Sequence, residues 1–89
     1  MATLKQKFEK ATVDVRGLTK RPTNGEFQQL YGLFKQATEG DVAGKRPGAL
    51  DLLGRGRYDG WAAYKGLSTD DAMKQYIALV ASLLAKYNK

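Results

Sequence analysis

The sequence of 89 residues contains no cysteine and no histidine. Without cysteine the chain has no disulfide framework and no thiolate zinc site, so the composition gives no indication of a secreted protein. Without histidine it lacks the usual general base at neutral pH and the commonest metal ligand. Catalytic sites that pair serine or cysteine with histidine are excluded, and we expect no enzymatic activity, no metal and no cofactor.

Long apolar runs are also missing. The longest uncharged, apolar-rich stretch covers residues 75–85, which is far shorter than the roughly 20 residues that cross a bilayer. The first eight residues mix charged and apolar side chains, unlike the continuous apolar segment of a signal peptide. We therefore expect a single domain over residues 1–89 that is cytoplasmic, without stable membrane insertion.

Positive charge is in excess and is unevenly spread. The formal net charge is +6, from 15 Lys and Arg against 9 Asp and Glu. Residues 1–21 contain six basic and two acidic side chains, and residues 42–67 contain five and two. The segment between them has one basic residue, Lys35. This distribution favours an anionic partner.

Hydrophobic spacing predicts helices at both ends of the chain. An apolar stripe recurs every three or four residues in the first segment, at Leu4, Phe8, Ala11, Val15 and Leu18. Thr23 and Glu26 form a predicted capping box that starts a second helix, and Gly40 is placed to end it with a left-handed residue. Ser68 is the predicted N-cap of a last helix that reaches about Tyr87. No segment alternates like a strand, so the fold class is all-α, a bundle of four helices.

The segment between the second and last helices is rich in glycine. Residues 40–66 contain seven of the ten glycines. We expect a long ordered loop from Asp41 to Leu53, held in place by Val42, Leu50 and Leu52, followed by a short helix from Arg55 to Lys65. Trp61 is expected to be a core anchor.

Tyr31, Phe34 and Lys35 form the first candidate site, because their spacing places them on one side of the second helix. A phenol, a ring and an ammonium group suit a flat aromatic ligand that carries phosphate. An ordinary core face with a lysine reaching to solvent explains the same spacing. Tyr76 is predicted to be buried in the last helix, and its hydroxyl then needs a partner in the protein or in a ligand.

The second candidate is the segment from Gly54 to Tyr58, where Arg55 and Arg57 lie between glycines and could bind phosphate. Composition and spacing leave three functions open: a ligand carrier, a basic helical nucleic-acid-binding module and a membrane-surface module. A membrane-surface role for the last helix is disfavoured because Lys74 is its only cation between Ser68 and Ala85.

Sequence motifs separate these alternatives. Residues 31–41, YGLFKQATEGD, resemble the YxxYKQATxGD signature of acyl-CoA-binding proteins. The segments RPGALD at 46–51 and YDGW at 58–61 resemble the family's RPGxxD and WDAW. The segments FEKA at 8–11, KGLS at 65–68 and DAMKQYI at 71–77 also match the family in order and spacing, so the resemblance covers nearly the whole chain.

The resemblance implies an up-down-down-up four-helix bundle with a long loop between helices 2 and 3. It also implies a monomeric carrier and pool-former for long-chain fatty acyl-CoA, with no nucleic-acid partner. Lys35 and Arg57 match the positions that meet the 3′-phosphate region of CoA. The positions implied to bind ligand are Phe8, Ala11, Arg16, Tyr31, Gly32, Leu33, Phe34, Lys35, Arg57 and Tyr76.

Four positions depart from the family pattern. Phe34 replaces the second tyrosine of the signature and loses a hydroxyl, and Tyr58 replaces the first tryptophan of WDAW. Arg57 replaces a lysine and keeps the charge. Leu53 also stands where the family usually has lysine; it cannot meet phosphate and would extend an apolar wall.

Overall fold

The structure, a computed structural model, describes residues 2–87, and within that range it contains four α-helices and no strand. The helices are α1 (Leu4–Asp14), α2 (Asn24–Glu39), α3 (Leu52–Ala62) and α4 (Thr69–Tyr87), and a short 3₁₀ turn, Val15–Gly17, follows α1. The predicted all-α fold class is confirmed. The third helix begins and ends three residues earlier than the sequence predicts.

Local capping explains where α2 begins and ends. The Thr23 hydroxyl accepts a hydrogen bond from the Glu26 backbone nitrogen at 3.1 Å, and the Glu26 carboxylate accepts one from the Thr23 nitrogen at 2.8 Å. These bonds form the predicted capping box. Gly40 ends the helix with a φ of 84°, a conformation that favours glycine.

The other helix starts are capped in similar ways. The Ser68 hydroxyl accepts from the Asp71 nitrogen at 3.1 Å, which makes Ser68 the N-cap of α4 as predicted. Thr3 forms a second capping box, with Gln6 in the place of the more familiar glutamate, and starts α1. The Thr3 cap was not predicted.

Contacts between helices give their directions. The Gln28 side chain donates to the Gly56 carbonyl at 2.8 Å, and Gly32 lies against Gly60 one turn further along both helices, so α2 and α3 run parallel. Phe34 lies near Tyr76 while Glu26 contacts Tyr87, so α2 and α4 are antiparallel.

The direction of α1 follows from its contacts with α4. The Phe8 ring lies 5.1 Å from the Tyr76 ring, and Thr19, which follows the 3₁₀ turn, donates to the Tyr87 carbonyl at 2.6 Å. The helices α1 and α4 therefore run in the same direction. Together with the directions of α2 and α3, this gives the expected up-down-down-up order. The segment 40–51 must return along the bundle to start α3 at the same end as α2, which explains its length.

Three helices supply the core. The buried hydrophobic side chains are Phe8 and Ala11 from α1, Leu30, Leu33 and Ala37 from α2, and Ala72, Tyr76, Val80 and Leu83 from α4. Within residues 2–87, α3 adds no fully buried side chain and packs against α2 alone. The third helix therefore packs on the outside of a core that the other three helices form.

Polar contacts from α3 hold the long loop. Arg46 donates two hydrogen bonds to the Asp59 carboxylate at 2.8 and 2.7 Å, and the Tyr58 hydroxyl donates to the Gly44 carbonyl at 3.1 Å. Arg55 donates to the Pro47 carbonyl at 2.9 Å. The bond from Arg46 lowers the pKa of Asp59 below its ordinary value.

Apolar anchoring of this loop was predicted, and that prediction is wrong for two of three residues. Leu50 and Leu52 are exposed, and Val42 alone is half-buried. Trp61 is also no core anchor: it is half-buried, and its indole nitrogen donates to the Gly40 carbonyl at 2.7 Å. Its indole N–H needs an acceptor, and the end of α2 provides one.

Candidate functional site

A cavity of about 510 Å³ opens where the connection between α1 and α2 meets the face formed by α2 and α4. Its walls combine aromatic rings with cationic side chains. The lining residues are Val15, Arg16, Leu18, Thr19, Lys20, Arg21, Pro22, Phe27, Leu30, Tyr31, Phe34 and Tyr76. The volume lies within the ordinary range for a small-molecule site.

Aromatic stacking shapes the floor of this first cavity. The rings of Phe8 and Phe34 are stacked with centroids 5.9 Å apart, and Phe8 meets Tyr76 edge to face at 5.1 Å. Phe8 is buried below, and Phe34 presents its other surface to the cavity. This arrangement leaves a ring free to stack on a flat ligand.

The Tyr76 hydroxyl is the polar group set into that floor. Burial raises the pKa of Tyr76, and the positive charge of Arg16 partly opposes this rise. Within residues 2–87 the hydroxyl has no hydrogen-bond partner, although the side chain is almost fully buried. It is therefore available to a ligand polar group.

A second cavity, of about 560 Å³, lies between the first half of α2 and the start of α3. Its walls include two exposed leucines and one arginine from α3 beside polar groups of α2. The lining residues are Arg21, Asn24, Gly25, Phe27, Gln28, Tyr31, Leu52, Leu53, Gly56 and Arg57. Leu53 forms part of its apolar wall; that this wall belongs to a ligand site stays a prediction.

Three residues line both cavities: Arg21, Phe27 and Tyr31. The Arg21 guanidinium lies over the Phe27 ring, 5.3 Å from its centroid, which is the geometry of a cation–π contact. In the described part of the chain Arg21 forms no ion pair with an acidic side chain. The two cavities therefore meet at a cationic and aromatic junction.

The structure brings several predicted site residues together. Arg16, Tyr31, Phe34 and Tyr76 share the first cavity, and Tyr31 shares the second with Arg57. These positions come from different helices and from distant parts of the sequence. Their role in ligand binding stays a prediction.

Other predicted site residues lie elsewhere. Phe8, Ala11 and Leu33 are in the core, where Leu33 is 3% exposed, and only Phe8 touches the site, through Phe34. Gly32 is buried against the Gly60 backbone. These positions support the site by packing, and none of them lines either cavity.

Lys35 lines neither cavity. It forms an ion pair with Glu39 one turn later in α2, and its ammonium lies 4.9 Å from the centre of the Trp61 ring. The prediction that Lys35 shares a face with Phe34 is therefore wrong in detail. Adjacent residues on a helix point about 100° apart, so Phe34 faces α1 while Lys35 faces α3.

Two site residues, Arg21 and Phe27, were not predicted. From the sequence, Phe27 had no predicted role in a site, and Arg21 was counted only among the basic side chains of residues 1–21. A signal was available, because Pro22 and Phe27 occupy the positions before the N-cap and at the fourth helical residue. Apolar residues there often pack together as a hydrophobic staple, which would have placed the chain before Pro22 beside Phe27.

Among residues 2–87, no group of three or more Asp or Glu side chains could hold a metal ion. No helix in that range is long and apolar enough to cross a membrane.

Comparison with known proteins places this geometry in context. The family model described as "Acyl CoA binding protein" matches residues 5–80. The chain is 46% identical over 82 residues to the acyl-CoA-binding protein homolog of Drosophila melanogaster, which covers 92% of this chain and 95% of that protein. It is also 46% identical over 80 residues to the acyl-CoA-binding protein homolog 1 of Caenorhabditis elegans. That match covers 90% of this chain and 93% of the Caenorhabditis elegans protein.

Solved structures agree with these matches. The crystal structure of acyl-CoA-binding protein 2 from Oryza sativa superposes with a TM-score of 0.90 at 38% identity, over 93% of this chain and 90% of the other. The solution structure of the yeast protein gives 0.73 at 42% identity, over 94% and 98%. A family match over most of the sequence thus accompanies a matching fold, and the chain belongs to the acyl-CoA-binding protein family.

Proposed function

We propose that the protein binds long-chain fatty acyl-CoA esters and serves as a cytoplasmic, monomeric carrier and pool-former for them. The observation that carries this proposal is the meeting of two cavities at Arg21, Phe27 and Tyr31. One cavity is aromatic and basic, and the other has exposed leucines on its wall. A CoA ester has two parts that complement them, an aromatic, anionic nucleotide and an apolar acyl chain, joined through the diphosphate and the pantetheine arm. The family membership supports the same ligand.

The first cavity suits the nucleotide end of the ligand. Phe34 and Tyr31 offer ring surfaces for the adenine, and Arg16 lies in the same wall. The unpartnered Tyr76 hydroxyl supplies a hydrogen bond that the protein itself does not use. Stacking and charge-assisted hydrogen bonds together favour a phosphorylated aromatic group over a plain one.

The second cavity suits the acyl chain. Leu52, Leu53 and Phe27 give it apolar wall, and each methylene removed from water contributes up to about 0.8 kcal/mol. Arg57 lines the same cavity as Tyr31, so we place its guanidinium at the phosphates near the junction. Affinity should rise with chain length until this groove is full.

Calorimetric titration tests the proposal most directly. Saturated CoA esters of increasing chain length should bind with rising affinity, and bare CoA should bind more weakly than any long-chain ester. Free palmitate should bind negligibly, because the head group supplies the polar contacts. The proposal fails if palmitate binds as tightly as palmitoyl-CoA.

A short oligonucleotide, titrated at two salt concentrations, tests the alternative of a nucleic-acid-binding module. That alternative depends on the arginines between Gly54 and Tyr58. Arg55 lies in a folded helix and already donates a hydrogen bond to the Pro47 carbonyl. Tight, strongly salt-dependent binding of the oligonucleotide would favour the alternative. We propose no catalytic role, since the chain has neither histidine nor cysteine.

A further inference from the structure

We propose that the start of α3 is a docking surface for an anionic lipid bilayer. The surface consists of Leu50, Leu52 and Leu53, together with the nearby cations Arg21 and Arg57. In this proposal the ligand-free protein binds the bilayer reversibly through this surface. Loading with acyl-CoA then releases it, and this second part rests on the function proposed above.

Exposure of three leucines within four residues is the first observation. Leu50 is fully exposed, at 101%, and Leu52 and Leu53 are 76% and 77% exposed. They are the three most exposed large hydrophobic side chains among residues 2–87. Single exposed apolar residues are ordinary, whereas a contiguous group indicates an interaction site.

The local backbone holds these leucines outward. The Asp51 nitrogen donates to the Gly48 carbonyl at 3.0 Å, which forms a turn with Leu50 inside it. Asp51 separates Leu50 from Leu52, but its carboxylate accepts from the Gly54 nitrogen at 2.9 Å and caps α3. The one acidic group in the segment is thus directed towards the helix start, where its charge is partly compensated.

Positive charge adjoins the leucines. Arg21 and Arg57 line the same cavity as Leu52 and Leu53, and in the described chain neither arginine forms an ion pair. Exposed leucines bordered by free cations match the interfacial region of an anionic bilayer, where apolar side chains reach the acyl boundary and cations meet lipid phosphates.

The net charge of the molecule favours a bilayer over a second copy of the chain. Two molecules that each carry +6 repel each other, and each would bring Arg21 and Arg57 to the same contact. An anionic membrane instead attracts both the patch and the whole protein. We therefore assign the surface to lipid.

Ligand loading should weaken this docking for two reasons. An acyl chain in the second cavity covers Leu52 and Leu53, so less apolar surface remains for the membrane. The CoA phosphates neutralise Arg21 and Arg57 and reduce the attraction to anionic lipid. Linkage is reciprocal, so membrane docking must weaken equilibrium acyl-CoA binding by the same factor.

Flotation with phosphatidylcholine vesicles and with mixed phosphatidylcholine–phosphatidylglycerol vesicles tests the docking without any ligand. The wild-type protein should float with the mixed vesicles at low salt and much less with the neutral ones. Leu50→Ser should reduce the partition roughly fivefold, as expected for partial loss of one buried leucine. Leu50 lines neither cavity, so acyl-CoA affinity measured without vesicles should not change.

Val13→Ser is the matched control, because Val13 is also exposed, at 64%, and lies on α1 away from the patch. It should float like the wild type. Wild-type protein that ignores anionic vesicles, or a Leu50→Ser variant that floats as well as Val13→Ser, would overturn the proposal. Dimers that sedimentation detects in the wild type but not in Leu50→Ser would assign the patch to a second copy and also overturn it.

Adding palmitoyl-CoA tests the release step separately. Pre-loaded protein should partition to mixed vesicles less than ligand-free protein. Unchanged partition would refute release while leaving docking intact. A protein that docks but binds no acyl-CoA in calorimetry would refute the proposed function alone.

Discussion

Gly32 in α2 lies directly against the backbone of Gly60 in α3. A Cβ atom on Gly32 would overlap the Gly60 carbonyl and come within 2.9 Å of the Tyr64 ring, and a Cβ on Gly60 would lie 2.7 Å from the Gln28 carbonyl oxygen. Neither glycine has a positive φ, so backbone conformation does not require glycine at these positions. The close approach of the two helices does. This contact sets the distance between the two helices that form the second cavity.

Gly32→Ala should destabilise the fold by about 1–3 kcal/mol, because the added methyl group has no room. Gly17→Ala is the matched control, since a Cβ there meets nothing within 4 Å. Urea unfolding of both variants measures the difference in the free energy of unfolding. Equal midpoints for the two variants would show that α3 shifts away from α2 at little cost.

Lys35→Ala tests the phosphate contact that the family resemblance implies for a residue outside both cavities; loss of that charge-assisted hydrogen bond should weaken acyl-CoA binding by about 1.5–3 kcal/mol. Glu39→Gln should tighten binding slightly, by about 0.3–0.5 kcal/mol, because the present ion pair competes with the phosphate. Calorimetry on both variants checks this pair of opposite effects. If both variants bind acyl-CoA with wild-type affinity, Lys35 has no role in ligand binding and only contacts Trp61.

Arg21→Gln should weaken binding of acyl-CoA by about 1.5–3 kcal/mol, since its guanidinium lies where the two cavities meet. Lys7→Gln makes the same change in net charge and lines neither cavity. It should therefore bind like the wild type. Similar losses in the two variants would mean that Arg21 acts only through the overall field of the protein.

Glu26 makes stability depend on pH. Hydrogen bonds, chiefly from the Tyr87 hydroxyl at 2.5 Å and then from the Thr23 backbone, lower the pKa of Glu26 to about 2. A folded-state pKa below the unfolded value of 4.5 means that Glu26 stabilises the fold above that pH. This contribution is lost as the pH falls towards 2.

Unfolding by urea between pH 6 and pH 2 tests this dependence. The wild type should lose stability through the window from about 4.5 to about 2, and Glu26→Gln should lose less. Glu9→Gln provides the control, because the Glu9 side chain on α1 has no hydrogen bond among the described residues. Parallel curves for wild type and Glu26→Gln would contradict the role assigned to the carboxylate.

The sequence predicts this fold well where the signals are local. The capping box at Thr23, the N-cap at Ser68 and the positive φ at Gly40 depend on residues within a few positions of each other. The start of α3 was predicted three residues late, because Leu52 resembles a buried loop anchor and is in fact exposed. Hydrophobicity alone does not show which leucines are buried against other side chains in the folded protein.

Long-range pairs account for the rest of what the sequence did not reveal. The hydrogen bonds from Arg46 to Asp59 and from Trp61 to the Gly40 carbonyl form only once the loop has folded back. Tyr31 and Phe34 line the same cavity, whereas Lys35 does not, because its position depends on Glu39 and on Trp61 in another helix. The staple positions Pro22 and Phe27 could have placed Arg21 beside Phe27, but only the folded structure shows that two cavities meet there.

The packing of α3 on α2 alone also has a consequence for motion. Since α3 adds no fully buried side chain in the described range, it can open as a unit while the three-helix core stays folded. Its amide protons should therefore exchange with solvent deuterium sooner than those of α2 and α4. A ligand held between α2 and α3 would slow that exchange, so protection of the third helix reports occupancy of the second cavity.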